Sequence, residues 1–271
     1  MTVRYELDGA VATITLASPE TRNVLSADSM RGLVEHLTAA AADPAVRVVV
    51  LTGEGTTFCA GADLASAAAA EGDSFTSAGP HALVAVLETM LLHPKPIVAR
   101  VQGHVAGGGN GLVAAADLAV AAESAKFAFS EVRVGVAPAV ISVVCLARMT
   151  PSHARELLLT GERVTAHRAR EAGLLTAVAE DHALDSVVAS YVGQLLLGGP
   201  TALSATKELL RRVPSMPNDE AFTWTAELSA TLFAGEEARE GMTAFLQRRR
   251  PSWAPEERPG TAEPAGPSTP A

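Results

Sequence analysis

The chain has 271 residues, 48% of them apolar, and a formal net charge of −9. That length buries a substantial core, as one large domain or two modest ones, and the apolar share excludes global disorder. The acidic balance excludes a surface built for non-specific nucleic-acid binding, yet leaves room for an anionic ligand held by a local cationic patch.

No apolar run approaches the length of a membrane span, and the N-terminal "MTVRYELDG" carries no signal-peptide pattern. A soluble, cytoplasmic protein is expected. The two cysteines, Cys59 and Cys145, fit a reducing compartment and form neither a disulfide framework nor a metal-site spacing.

In chain order, "VRYELDG" and "VATITLA" read as two strands joined by a hairpin turn at Asp8-Gly9. A helix follows in "NVLSADSMRGLVEHLTAAAAD", with Ser26 as N-cap and Met30, Leu33, Val34 and Leu37 on one face. Pro44 ends it. "VRVVVLTG" is a continuous apolar run of the kind found in a buried parallel strand. "EGTTFCAGADL" is a loop that leads into a weakly patterned, alanine-rich stretch, residues 65–79, expected to be mobile. "HALVAVLETMLLH" is a helix stopped by Pro94 and Pro96, and "IVARVQ" is a further strand. "GLVAAADLAV" then reads as a helix running into a short strand. This alternation predicts an α/β layer architecture with a mainly parallel sheet. Beyond residue 150 the pattern turns helical: two short helices and a strand, then helices in "TALSATKELLRR", "DEAFTWTAELSATLFAG" and "EEAREGMTAFLQRRR". The proline-rich end is expected to be a disordered tail.

Two loops attract attention. "GHVAGGGNG" places three successive glycines at the start of a helix, directly after a strand, where free backbone N–H groups and the helix dipole favour a phosphate or an oxyanion. It has neither dinucleotide-fold spacing nor a P-loop lysine. On the glycines alone, close helix–sheet packing is the plainer explanation. "FCAGADL" also follows an apolar strand and exposes small residues, so the two loops can each aim one N–H at the same carbonyl oxygen. Such a donor contributes on the order of 3 kcal/mol to transition-state stabilisation. Taken alone, Asp63 reads as a helix cap.

Together with "AKFAFSEVRVGVAP" and "EGMTAFLQRR", these loops resemble, in order and spacing from about Val3 to Trp253, the crotonase (enoyl-CoA hydratase/isomerase) superfamily. The resemblance implies an α/β crotonase (ClpP/crotonase-like) fold of twisted, stacked β-sheets in ββα repeats, with a C-terminal helical trimerisation region. The expected division is a core over 1–195, a helical oligomerisation region over 196–253 and a tail over 254–271. It implies an oxyanion hole made by the N–H groups of Ala62 and Gly108. It makes Glu131, in "FSEVRVG", the residue that moves a proton on the substrate chain. A carboxyl enclosed by Phe129, Val132 and Val136 would have its pKa raised, as that task needs; without the family, a surface ion pair with Arg133 or Lys126 would be preferred. Substrate or CoA contacts fall to Arg22, Ala60, Asp63, Leu64, Gly107, Phe245 and Arg248, the last two reaching a neighbouring subunit's CoA. For Arg248 a solvated basic helix end is an equal reading.

One position departs from the pattern. The two-glutamate hydratases carry a second glutamate three residues after the middle glycine; here Gly111 stands there, preceded by Asn110. Three activities remain open: hydration of a 2-enoyl-CoA by a single glutamate, Δ3-Δ2-enoyl-CoA isomerisation, and a non-catalytic acyl-CoA binder or thioesterase. Hydration is placed first. The resemblance implies no metal or redox cofactor, coenzyme A being part of the substrate, a role in fatty-acid metabolism, and a homotrimer or dimer of trimers. Cys59, Cys145, His81, His93, His104 and Asp117 are read as structural.

Overall fold

A computed structural model describes residues 2–63 and 74–255. Strands β1 (Val3–Asp8) and β2 (Val11–Leu16) form the expected antiparallel hairpin. Helix α1 (Ala27–Ala42) starts at Ser26, whose hydroxyl accepts from the Ser29 N–H, and buries Met30, Leu33 and Leu37. Strand β3 (Val48–Gly53) runs parallel to β2 and to β5 (Ile97–Val101), with β4 (Thr57–Cys59) and helix α2 (Ser74–Leu91) between them in sequence.

Next come β6 (His104–Ala106), α3 (Gly108–Ala115), β7 (Leu118–Ala122), β8 (Lys126–Ala128) and α4 (Ala139–Cys145). Then follow α5 (Pro151–Thr160), β9 (Arg163–Thr165), α6 (Ala166–Glu171), β10 (Ala177–Ala179) and α7 (Leu184–Leu197). Helices α8 (Pro200–Arg212), α9 (Asn218–Ala234) and α10 (Glu236–Leu246) close the described chain.

The strands form two sheets. The larger has the order β1-β2-β3-β5-β7-β10, and the smaller β4-β6-β8-β9. Period-two alternation explains why "VVVL" is apolar throughout. Val49 and Leu51 face the main core with Ile97, Ala99 and Ala121, while Val48 and Val50 face the opposite side with Val98 and Val120. Leu184, Val188 and Val192 of α7 cover that second side.

The glycine-rich loops do not follow the long strands directly, as the sequence reading expects. Each long strand β3, β5 and β7 is followed by a three-residue strand, β4, β6 and β8, that crosses into the smaller sheet. Three residues are too few to register as a period. The last third likewise holds two strands among its short helices, β9 and β10, where one is expected.

The C-terminal segment is tied to the sheet region by partly buried polar contacts. Lys207 of α8 pairs with Asp117, whose carboxylate also accepts from the Ile97 N–H. Arg47 donates to the carbonyls of Gly198 and Trp253. Helix α7 ends at Leu197, two residues past the expected limit of the core, and residues 256–271 of the expected tail lie outside the described residues.

Candidate active site

The first loop leaves β4 through Ala60 and Gly61. Its backbone is held by the preceding turn: Ala60 donates its N–H to Arg22 O at 3.1 Å, and Leu25 donates to Gly61 O at 2.8 Å. Arg22 and Asn23 both adopt left-handed φ angles, 60° and 54°. Such angles are uncommon outside glycine and are held by their surroundings. Asn23 supplies the hold, since its buried side chain donates to Glu54 O and Thr57 O and accepts from the Ser18 N–H. Arg22, expected at CoA, thus already serves the loop through its carbonyl, while its side chain is exposed.

The second loop leaves β6 and opens α3 at Gly107. Gly61 (φ 86°) and Gly107 (φ 51°) lie against one another, and both need the left-handed freedom of glycine. A Cβ on Gly61 would stand 2.8 Å from Ala106 O and 3.2 Å from Gly108 N. The two loops are therefore in backbone contact, with Gly108 N beside the residue that precedes Ala62. Gly108 is the first helical residue, so its N–H has no intrahelical acceptor. Among the described residues, neither the Ala62 nor the Gly108 N–H donates to a backbone carbonyl. Two small-residue backbone turns with unspent N–H groups meet here. Leu25 and Leu83 pack over Gly108.

Glu131 is the second residue of a short 3-10 turn, Ser130–Val134, that follows β8 after Phe129. Its carboxylate reaches back to the second loop: a Cβ on Gly107 would lie 3.6 Å from Glu131 Oε1. Oε2 is buried without a hydrogen-bond partner among the described residues. Burial pushes the Glu131 carboxyl above its ordinary value, opposed by the hydrogen bond from its own N–H. The expected enclosure is corrected in part. Phe129 is buried, but Val132 in the turn and Val136 beyond it are 37% and 57% exposed. The desolvation comes instead from Glu131 lying against Gly107 and close to the buried Cys145, whose thiol its charge helps to push up to about 12. No ion pair joins Glu131 to Arg133 or Lys126 among the described residues; Arg133 donates to Thr160 O.

Gly111 is buried and faces helix α4. A Cβ there would stand 2.6 Å from Ile141 Cγ2 and 3.5 Å from Leu87 Cδ1. The place of a second carboxylate is filled by an isoleucine methyl. Asn110, fully buried beside it, donates through Nδ2 to Ala128 O at 2.8 Å.

The remaining expected residues fall into three groups. Ala60, Ala62, Asp63, Gly107, Gly108 and Glu131 belong to the two loops and the turn described above, and Leu64 lies outside the described residues. Residues 64–73 of the alanine-rich stretch lie outside them too, whereas Ser74 begins α2. Phe245 and Arg248 are exposed at the end of α10, Arg248 with φ 54°. Of the residues read as structural, Cys59 and Cys145 are buried with their thiols pushed up to about 12, and His93 lies buried with its ring nitrogens near Lys95 O and Leu37 O, whereas His81 and His104 are exposed. Asn23 and Asn110 are missed by the sequence reading. Asn110 is a lone amide in a glycine-rich, apolar context, a signal that marks it; Asn23, in "ETRNVLS", has no such local mark.

A family model described as enoyl-CoA hydratase/isomerase matches residues 6–256. The chain is 36% identical over 252 residues to enoyl-CoA hydratase EchA19 of Mycobacterium tuberculosis, covering 92% of this chain and 94% of that protein. It is 31% identical over 250 residues to crotonyl-CoA hydratase of Syntrophomonas wolfei, with 90% and 95% covered. The crystal structure of an enoyl-CoA hydratase from Mycobacterium smegmatis superposes with a TM-score of 0.89 at 32% identity, covering 93% of this chain and 99% of that one. The chain belongs to the enoyl-CoA hydratase/isomerase family and has the crotonase fold.

Proposed function

We propose that this enzyme adds water reversibly to the double bond of a 2-enoyl-CoA, with Glu131 as its single acid/base. The observation that carries the reading is the approach of the Glu131 carboxylate to Gly107, one residue from the N–H that would hold the thioester oxygen. The thioester carbonyl accepts from the Ala62 and Gly108 N–H groups. Glu131 takes a proton from water as the water oxygen bonds to C3, and the double-bond electrons move to the thioester oxygen as an enolate. The enolate then collapses, and C2 receives the proton back from Glu131. Water is consumed and nothing else is. The two N–H donors are worth on the order of 3 kcal/mol each at the enolate. Glu131 suits the task because burial keeps its proton affinity above that of an ordinary carboxylate.

Metal and redox chemistry have no part in this scheme, and coenzyme A enters as part of the substrate. The reading also places Arg22, Ala60, Asp63, Leu64 and Gly107 around the ester, and a homotrimer or dimer of trimers bringing Phe245 and Arg248 to a neighbour's CoA. It sets the enzyme in the cytoplasm and in fatty-acid metabolism. Among the described residues no helix is long and apolar enough to cross a membrane.

Gly111 supports a second reading, Δ3-Δ2-enoyl-CoA isomerisation, which moves one proton between two carbons and needs no held water. Mass analysis of products from a 2-enoyl-CoA and a 3-enoyl-CoA, offered separately, decides between them. Gain of one water by the first ester establishes hydration. Conversion of the second into the first without mass change establishes isomerisation. Inertness toward both would leave acyl-CoA binding or thioester hydrolysis.

A further inference from the structure

We infer that Asn110 is a positioning residue that fixes the spacing between the oxyanion-hole turn and Glu131; the inference rests on the hydratase reading. The argument begins at one carbonyl. Ala128 O, the last acceptor of β8, receives the Gly107 N–H at 3.2 Å and the Asn110 Nδ2–H at 2.8 Å. Three residues after Ala128 comes Glu131. Two residues of the helix opening are thus tied to the strand end that carries the carboxylate, and Gly108 lies between the tied residues. The Gly107 N–H bond completes the β6–β8 ladder at the Ala106–Ala128 pair, whereas the Asn110 side chain adds a tie outside that ladder.

The orientation of the carboxamide is not arbitrary. A flipped amide would set its oxygen against Ala128 O, so Nδ2 must face β8. That leaves Oδ1, which is buried and without a donor among the described residues. An apolar side chain of similar volume would fill the site and carry no such orphan. What asparagine supplies here, and leucine would not, is the donor to Ala128. Gly111, one residue on, has no side chain that could share this work, and its surroundings are filled by Ile141.

Two variants test the inference, with kcat for hydration of a 2-enoyl-CoA, the dissociation constant of a saturated acyl-CoA, and the melting temperature measured on the same preparations. Asn110→Leu keeps the branched shape of the side chain and removes the donor, and its larger methyl groups are expected to lower the melting temperature. It is expected to lower kcat by about 10- to 100-fold, as a misplaced catalytic group does, while the dissociation constant holds. Asn110→Asp supplies a donor only when its carboxyl is protonated. Its kcat relative to the parent protein is expected to rise as pH falls. If Asn110→Leu keeps kcat within about twofold of the parent, or the Asn110→Asp ratio is flat with pH, the inference is overturned while the hydratase reading stands. Should Asn110→Leu not fold, the pH ratio of Asn110→Asp decides alone. A parent protein that adds no water to the ester overturns both.

Discussion

Glu131 is a carboxyl whose charge the fold makes costly, and the cost has a sign that can be measured. Burial raises its pKa in the folded state above the ordinary value it has in the unfolded chain. Between those two values the folded state holds a proton that the unfolded state has released, so stability falls as pH rises through that window. Glu131→Gln removes the loss. The variant should melt higher than the parent at neutral pH, and the difference should close as pH drops below the ordinary carboxylate range. Turnover should fall by about 100- to 10,000-fold, with acyl-CoA affinity retained; unchanged turnover would remove Glu131 from the mechanism. Gly111 carries the opposite lesson. Installing the second glutamate by Gly111→Glu drives a side chain into Ile141, so overpacking and a buried charge should cost about 2 kcal/mol or more without adding hydratase activity. Denaturant unfolding would show this, and part of the stability should return when Ile141→Ala accompanies it. That glycine occupies the second-glutamate position was legible from "GGGNG". That Ile141, thirty residues along, fills the space above it was not, because no local pattern encodes which distant methyl fills a gap.

At the level of elements, the site is built from turns rather than from long helices or strands. The long strands announce themselves by runs such as "VRVVVLTG", and α1 by its Ser26 cap and apolar face. Strands β4, β6 and β8, at three residues each, leave no such trace, yet they lead into the two small-residue loops and the turn that holds Glu131. The motifs mark the candidate residues, and the missing elements set the spacing between them. Gly61 makes the point testable. With φ at 86° and Ala106 O in the way of any Cβ, Gly61→Ala forces the first loop off the second. If the Ala62 and Gly108 N–H groups form the proposed oxyanion hole, turnover should drop by about 100- to 1,000-fold, the range seen when one such donor is lost. Ser26→Ala, at the N-cap of α1, should instead cost about 1 kcal/mol of stability with a much smaller effect on kcat. A thermal melt and a rate assay on the two variants separate the roles.

For the whole molecule, the unresolved demand is apolar surface. Helix α9 spans 17 residues yet buries only Ala221, and it exposes Phe222 at 75% and Phe233 at 69%. Leu210 of α8, Val143 of α4, Leu159 of α5, and Phe245 and Leu246 of α10 are also exposed. A monomer rarely shows this much large apolar side chain on one set of helices, and a helix with one buried residue draws little stability from its own chain. Self-association through these helices would cover the surface and would give α9 a partner to pack against. Light scattering on the purified protein should therefore give a trimer or a multiple of it. Phe222→Asp combined with Phe233→Asp should lower the mass to a monomer and lower the melting temperature, because α9 loses the partner that holds it. If Phe245 and Arg248 do reach a neighbour's CoA, the same dissociated variant should bind acyl-CoA more weakly although every residue of its own two loops is intact. A monomer of full affinity would return both residues to solvent and leave Ala62, Gly108 and Glu131 as a site complete within one chain.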